Sequence, residues 1–123
     1  MILQQIHERL ETLYCTQELP DAVRIATWYT IEGTPIHFHF TQEDDKYARL
    51  TTNRDFSEWL ANCTGSWLKA TPVIMRLAGM YGVQWDPADG CLFIRFRRNE
   101  MTLAQAILRL QQAVFVVGSL GPF

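Results

Sequence analysis

The chain lacks most of the features by which a sequence announces its chemistry. Its 123 residues hold three cysteines, Cys15, Cys63 and Cys91, with no Cys-x-x-Cys spacing. Such an odd, scattered count indicates neither a disulfide frame nor a thiolate zinc site, and suits free structural thiols in a reducing compartment. Charge of one sign is missing too. Thirteen acids against 11 lysines and arginines leave −2, too weak a field to draw in nucleic acid or an anionic membrane from a distance, and too little acid to mimic DNA. The longest apolar run, Ala113 to Val117, falls far short of the ~20 residues that span a bilayer. The opening Met1-Ile2-Leu3-Gln4-Gln5 has no basic segment leading into an apolar one, so a cytoplasmic protein without membrane contact is expected. No Gly-x-Ser-x-Gly or other nucleophile arrangement occurs. Gly118-Ser119-Leu120-Gly121 follows a helical pattern and no strand, which makes it a helix stop and not a phosphate loop. With no repeat and no Pro-, Gly- or Ser-rich linker, residues 1–123 read as a single domain, long enough to bury about two thirds of the surface that its unfolded chain exposes.

What is present is strong local patterning. Leu3, Ile6, Leu10, Leu13 and Tyr14 recur at helical steps over residues 2 to 14. Pro20 and Asp21 then punctuate the chain before the β-branched and aromatic Val23 to Thr30, a strand. After the turn Glu32-Gly33-Thr34-Pro35, a strict two-residue alternation from Ile36 to Phe40 puts Ile36, Phe38 and Phe40 on one face and His37 and His39 on the other. The acidic turn Gln42 to Lys46 leads into a third strand, Tyr47 to Thr51, which completes an antiparallel meander. Thr52-Asn53-Arg54-Asp55 has the spacing of a capping box for a helix buried through Phe56, Trp59, Leu60 and Cys63. A second helix is expected to start at Thr71-Pro72, with Val73, Ile74, Leu77, Ala78 and Met80 as its apolar positions and Tyr81-Gly82 as its stop. Val83 to Trp85 and Cys91 to Phe96 flank an Asp89-Gly90 turn and read as a hairpin. A final helix is expected from Glu100 and Thr102 to about Val117. The order predicts an α+β fold: a mainly antiparallel sheet of about five strands, a three-strand meander plus a hairpin, with helices packed against it.

The pieces Glu32-Gly33 through Phe40, Tyr47-Ala48-Arg49-Leu50-Thr51, Tyr81-Gly82-Val83, Asp89-Gly90 and Leu103 to Leu120 cover about residues 23 to 120. Together they resemble the domain-of-unknown-function family numbered 1828, found in bacteria and their prophages. The segment Thr52-Asn53-Arg54-Asp55 departs from the family's pattern, which carries an acid and a glycine there. The resemblance implies a prophage or mobile-element setting and supplies no catalytic residue.

Candidate sites are few. His37 and His39 could present two imidazoles to one metal ion, but a third His, Cys or carboxylate would have to converge on them. Asp44 and Asp45 sit in the turn beyond the strand, and the remaining histidine, His7, belongs to the first helix. A solvent- or partner-facing strand surface is therefore the preferred reading of the pair. Glu43-Asp44-Asp45 reads as a solvated turn and not as a pair of catalytic carboxylates. Arg95, Arg97 and Arg98 are the nearest thing to a basic patch, with Arg95 and Arg97 on the strand face of Cys91 and Phe93. Such a mixture can contact an acidic partner or grip phosphates and stack on bases. In the final helix, Leu108 and Phe115 fall off the face set by Leu103, Ile107, Leu110, Val114 and Val117. A helix apolar on every side needs burial on more than one side, by its own domain or by a second copy.

The expectation is a small non-enzymatic interaction protein of a prophage or mobile element that binds a protein partner, such as a component of a bacterial defence system. It would need no cofactor and would form a homodimer through the C-terminal helix. The first alternative is a nucleic-acid-associated protein using the arginine-rich strand. The second is a metal-dependent hydrolase using His37 and His39.

Overall fold

The computed structural model describes residues 15–18, 22–31, 33–52, 54–64 and 67–119. These form β1 (Cys15–Glu18), β2 (Val23–Ile31), β3 (Thr34–Gln42), β4 (Tyr47–Thr52), α1 (Arg54–Thr64), α2 (Trp67–Gly79), β5 (Gln84–Asp86), β6 (Cys91–Arg97) and α3 (Leu103–Gly118). The helix expected over residues 2 to 14 lies outside the described residues.

Alternation decides the sheet. Ile36, Phe38 and Phe40 are buried, and the register sets Phe38 beside Ile25 and Phe40 beside both Val23 and Leu50, whose other neighbour is Ile94. One continuous apolar face results. All pairings are antiparallel, in the order β1-β2-β3-β4-β6-β5. The α+β fold is thus the expected one, a β2-β3-β4 meander plus a β5-β6 hairpin, with β6 docked on β4. One strand is additional: β1 pairs Cys15 to Glu18 with Ala26 to Val23 at the sheet edge.

The three helices cover the apolar face. Phe56, Trp59 and Leu60 of α1, Ala70, Ile74 and Ala78 of α2, and Ala106, Ile107, Leu110, Ala113, Val114 and Val117 of α3 join the strand residues in one core. Full burial of each large apolar side chain contributes roughly 1.5–3 kcal/mol. Thr102 caps α3 through a reciprocal box: its hydroxyl accepts from the Gln105 amide, and the Gln105 side chain accepts from the Thr102 amide. The β5-β6 loop closes on Gly90, whose φ of 67° is costly for any side-chain-bearing residue and whose amide donates to the Asp86 carbonyl at 2.9 Å.

Three local expectations differ. Thr52 is not the cap of α1, because it still belongs to β4 and the helix begins at Arg54. Its buried hydroxyl instead accepts the Leu92 amide at 3.1 Å. Second, α2 starts at Trp67 and carries Pro72 inside it. An exposed proline after the first turn removes one amide but leaves the buried 70/74/78 stripe intact. Third, Val73 and Met80 are exposed: the stripe turns Val73 outward, and Met80 lies just beyond the end of α2.

Thr52→Val keeps the side-chain shape and leaves the buried Leu92 amide without its acceptor, which costs about 1–3 kcal/mol. A urea titration should show the loss as a lower midpoint at unchanged slope, and an unchanged midpoint would contradict it.

Candidate functional site

The opposite face of the sheet carries no helix among the described residues. Register assembles it row by row: Arg24 sits opposite His39, and His39 opposite Thr51, which faces Phe93. In the neighbouring rows Thr41 sits opposite Arg49, Arg49 opposite Arg95, and Tyr47 opposite Arg97. These side chains are exposed or half-buried.

Arg49 and Arg95 face each other directly, an arrangement that repels. The two guanidinium groups separate onto diagonal rings. Arg49 lies 4.0 Å above the Phe93 ring and Arg95 lies 3.9 Å above the Tyr47 ring, with Arg97 5.6 Å from the same tyrosine. Each ring's negative face attracts its cation, at about 0.5–1 kcal/mol for exposed pairs. Glu43 reaches back from the turn, its Oε2 accepting from Arg95 Nε at 2.6 Å and holding the Arg95 pKa above its ordinary value. Among the described residues no carboxylate lies within ion-pair distance of Arg49. Arg49 is therefore a flat cation, fixed by the ring beneath it and open to a carboxylate or phosphate.

The remaining arginines divide. Arg97 belongs to this face, whereas Arg98 lies in the β6-α3 turn, where its amide donates to the Lys46 carbonyl at 3.0 Å. Arg97 Nη1 is 3.7 Å from Glu100 Oε1, and its buried Nε has no hydrogen-bond acceptor among the described residues. Asp45, Lys46, Arg97, Arg98 and Asn99 line a cleft of about 390 Å³. A wider depression of about 470 Å³ opens at the other end of the face, where His39, Arg49, Thr51, Cys91 and Asp89 are among its lining.

His37 and His39 do share this face, and Arg24 lies between them. Arg24 Nη2 donates to His37 Nδ1 at 2.6 Å. The His39 pKa lies below its ordinary value, through burial first and then the Arg24 charge. A fixed cation beside both imidazoles works against a metal cation. Among the described residues no three His, Cys, Asp or Glu side chains cluster in a way that could hold one. His7 lies outside the described residues. In the turn, Asp44 Oδ1 accepts the Lys46 and Tyr47 amides at 2.8 Å each, which lowers its pKa, so this carboxylate caps a turn. Cys91 is buried, and burial, aided by Asp86, pushes its thiol up to about 11. It stays a protonated, unreactive thiol at neutral pH.

The sign of the His39 effect is fixed. Its folded pKa is lowered, so below its unfolded pKa of about 6.5 the unfolded chain binds more protons, and stability falls as pH drops from 7 towards the folded value. His39→Asn should flatten the pH dependence of the urea midpoint between pH 7 and 5, and an unaltered slope would contradict the assignment.

The expected interaction helix, α3, buries one face and exposes the other. Leu108 and Phe115 are each 57% exposed. No helix among the described residues is long and apolar enough to cross a membrane.

Arg95 and Arg97 were legible as candidates from strand alternation. Arg49 and Arg24 were not, because only the β4-β6 and β2-β3 pairings bring them to the same surface. No protein-family model, curated protein or solved structure matches the chain.

Proposed function

We propose that this chain is a small non-enzymatic binding protein whose uncovered sheet face engages an acidic protein partner. The observation that carries the reading is the stacking of Arg49 on Phe93 and Arg95 on Tyr47 across β4 and β6. Ring-backed guanidinium groups lose little freedom on binding and offer paired donors that fit carboxylates. The resemblance over residues 23 to 120 supports a prophage or mobile-element setting, with a component of a bacterial defence system as the partner.

A nucleic-acid ligand is the second reading, favoured by the number of arginines on one face. Two facts weigh against it: the two ring faces are covered by guanidinium and so are not platforms for bases, and the chain's pI of about 5.9 is far from basic. A metal-dependent hydrolase at His37 and His39 has the least support, because Arg24 occupies that corner with positive charge.

Fluorescence anisotropy with a labelled glutamate-rich peptide and a labelled single-stranded oligonucleotide separates the first two readings. Preference for the peptide, lost on Arg49→Ala with Arg95→Ala, is the expected result. Preference for the oligonucleotide would move the reading to nucleic acid, and binding to neither would sink both. Pull-down from host lysate with the same double variant as control then identifies the partner.

Self-association through α3 is the other part of the proposal, supported by the exposure of Leu108 and Phe115. Sedimentation equilibrium should give a dimer that Phe115→Glu converts to a monomer. A wild-type chain that stays monomeric at high concentration removes this part.

A further inference from the structure

We propose that the cleft between the β3-β4 turn and the β6-α3 turn is a binding site for a phosphate monoester. The cleft holds about 390 Å³ and is lined by Asp45, Lys46, Arg97, Arg98 and Asn99, room for a tetrahedral oxyanion and the group that carries it. Its lining sets three cations against one carboxylate. The two turns are far apart in sequence, yet the Arg98 amide donates to the Lys46 carbonyl at 3.0 Å and locks them together. Lys46 and Arg98 are thereby held on neighbouring backbone, and among the described residues neither makes an ion pair. Both side chains therefore leave neighbouring backbone at the rim of one cleft, where a single anion can meet two cations.

Arg97 supplies the third cation at small cost. Among the described residues its Nε has no acceptor and its nearest carboxylate oxygen is 3.7 Å away, beyond hydrogen-bond length. Turning this guanidinium towards the cleft therefore breaks no short hydrogen bond and gives up only distant contacts, with Glu100 and, at 5.6 Å, with the Tyr47 ring. Asn99 adds a neutral amide donor. Asp45 is the opposing charge, which sets a threshold: a singly charged carboxylate gains less against it than a doubly charged phosphate ester does. The adjacent acids do not compete, since Asp44 is held by two backbone amides and Glu43 by Arg95. The site stands apart from the acidic-partner reading, because it uses Lys46 and Arg98 and not Arg49 or Arg95.

The test is an amide NMR titration of the full chain with inorganic phosphate at constant ionic strength, with sodium chloride and sodium acetate as controls. Saturable shifts confined to residues 45–46 and 97–99 are expected with phosphate and absent with chloride. Lys46→Ala with Arg98→Ala should weaken the affinity by about tenfold or more, the loss of charge-assisted bonds. Asp45→Asn should tighten it, a gain that general disruption of the turn would not produce. Phosphoserine and adenosine monophosphate, as further arms, distinguish a modified side chain from a nucleotide as the source. Shifts that match the chloride control, that spread over the whole surface, or that persist in the double variant overturn the proposal. Unchanged spectra elsewhere verify that the variants fold.

Discussion

Phe38→Ala is expected to lower the urea midpoint by about 2 M, because removing a fully buried aromatic side chain costs about 3–5 kcal/mol. Phe38 lies at the centre of the helix-covered face, fully buried, paired with Ile25 on β2 and Thr52 on β4. Its side chain is wholly shielded from solvent, so truncation leaves a cavity that the surrounding core must shift to fill. Phe93→Ala, on the opposite face, is the control. It removes the ring beneath Arg49 and should cost only about 1 kcal/mol, while loosening whatever Arg49 binds. Equal losses for the two variants would mean that the Phe93 face is covered, and would remove the basis for the proposed site.

Arg49→Glu should reduce affinity for an acidic peptide by about a hundredfold or more. It deletes a charge-assisted bond and substitutes a repulsive one. Glutamate at this position also faces Arg95 across the strand pair and can draw that arginine away from Tyr47, which adds to the effect on binding while the fold is kept. Affinity should be read by anisotropy at two salt concentrations. The wild-type value should fall with salt and that of the variant should hardly change. A variant that binds as well as the wild type shows that Arg49 does not contact the ligand.

Much of the fold was legible because its signals are periodic. The alternation at Ile36 to Phe40 and the spacing of Ala106, Ile107, Leu110, Val114 and Val117 each reflect one face meeting the core, and the Asp89-Gly90 turn reflects the positive φ that Gly90 adopts. Elements whose existence depends on pairing were not legible. Cys15 to Glu18 has no apolar alternation and becomes a strand because β2 offers it an edge. Thr52 has the spacing of a helix cap, but the Leu92 amide, 40 residues away, takes its hydroxyl. The start of α2 was hidden because Pro72 resembles a first-turn residue, whereas the helix already begins at Trp67 and packs Ala70 into the core. The site divides in the same way. Strand alternation gives Arg95 and Arg97, but Arg49 enters only through the neighbour relation of β4 and β6, which no local pattern encodes.

That neighbour relation has a kinetic side. Between Tyr47 and its neighbour Arg97, and between Arg49 and its neighbour Arg95, the chain runs through α1, α2 and β5. Closing so long a loop is among the slower events in assembling such a sheet. The arginine-lined surface is therefore expected to be completed late in folding, because a chain that has not joined β4 to β6 holds Arg49 apart from Arg95. Binding by the proposed acidic-partner face is then expected only of finished molecules: during refolding, peptide binding should lag behind the recovery of helix and appear together with the last protected amides of β4 and β6.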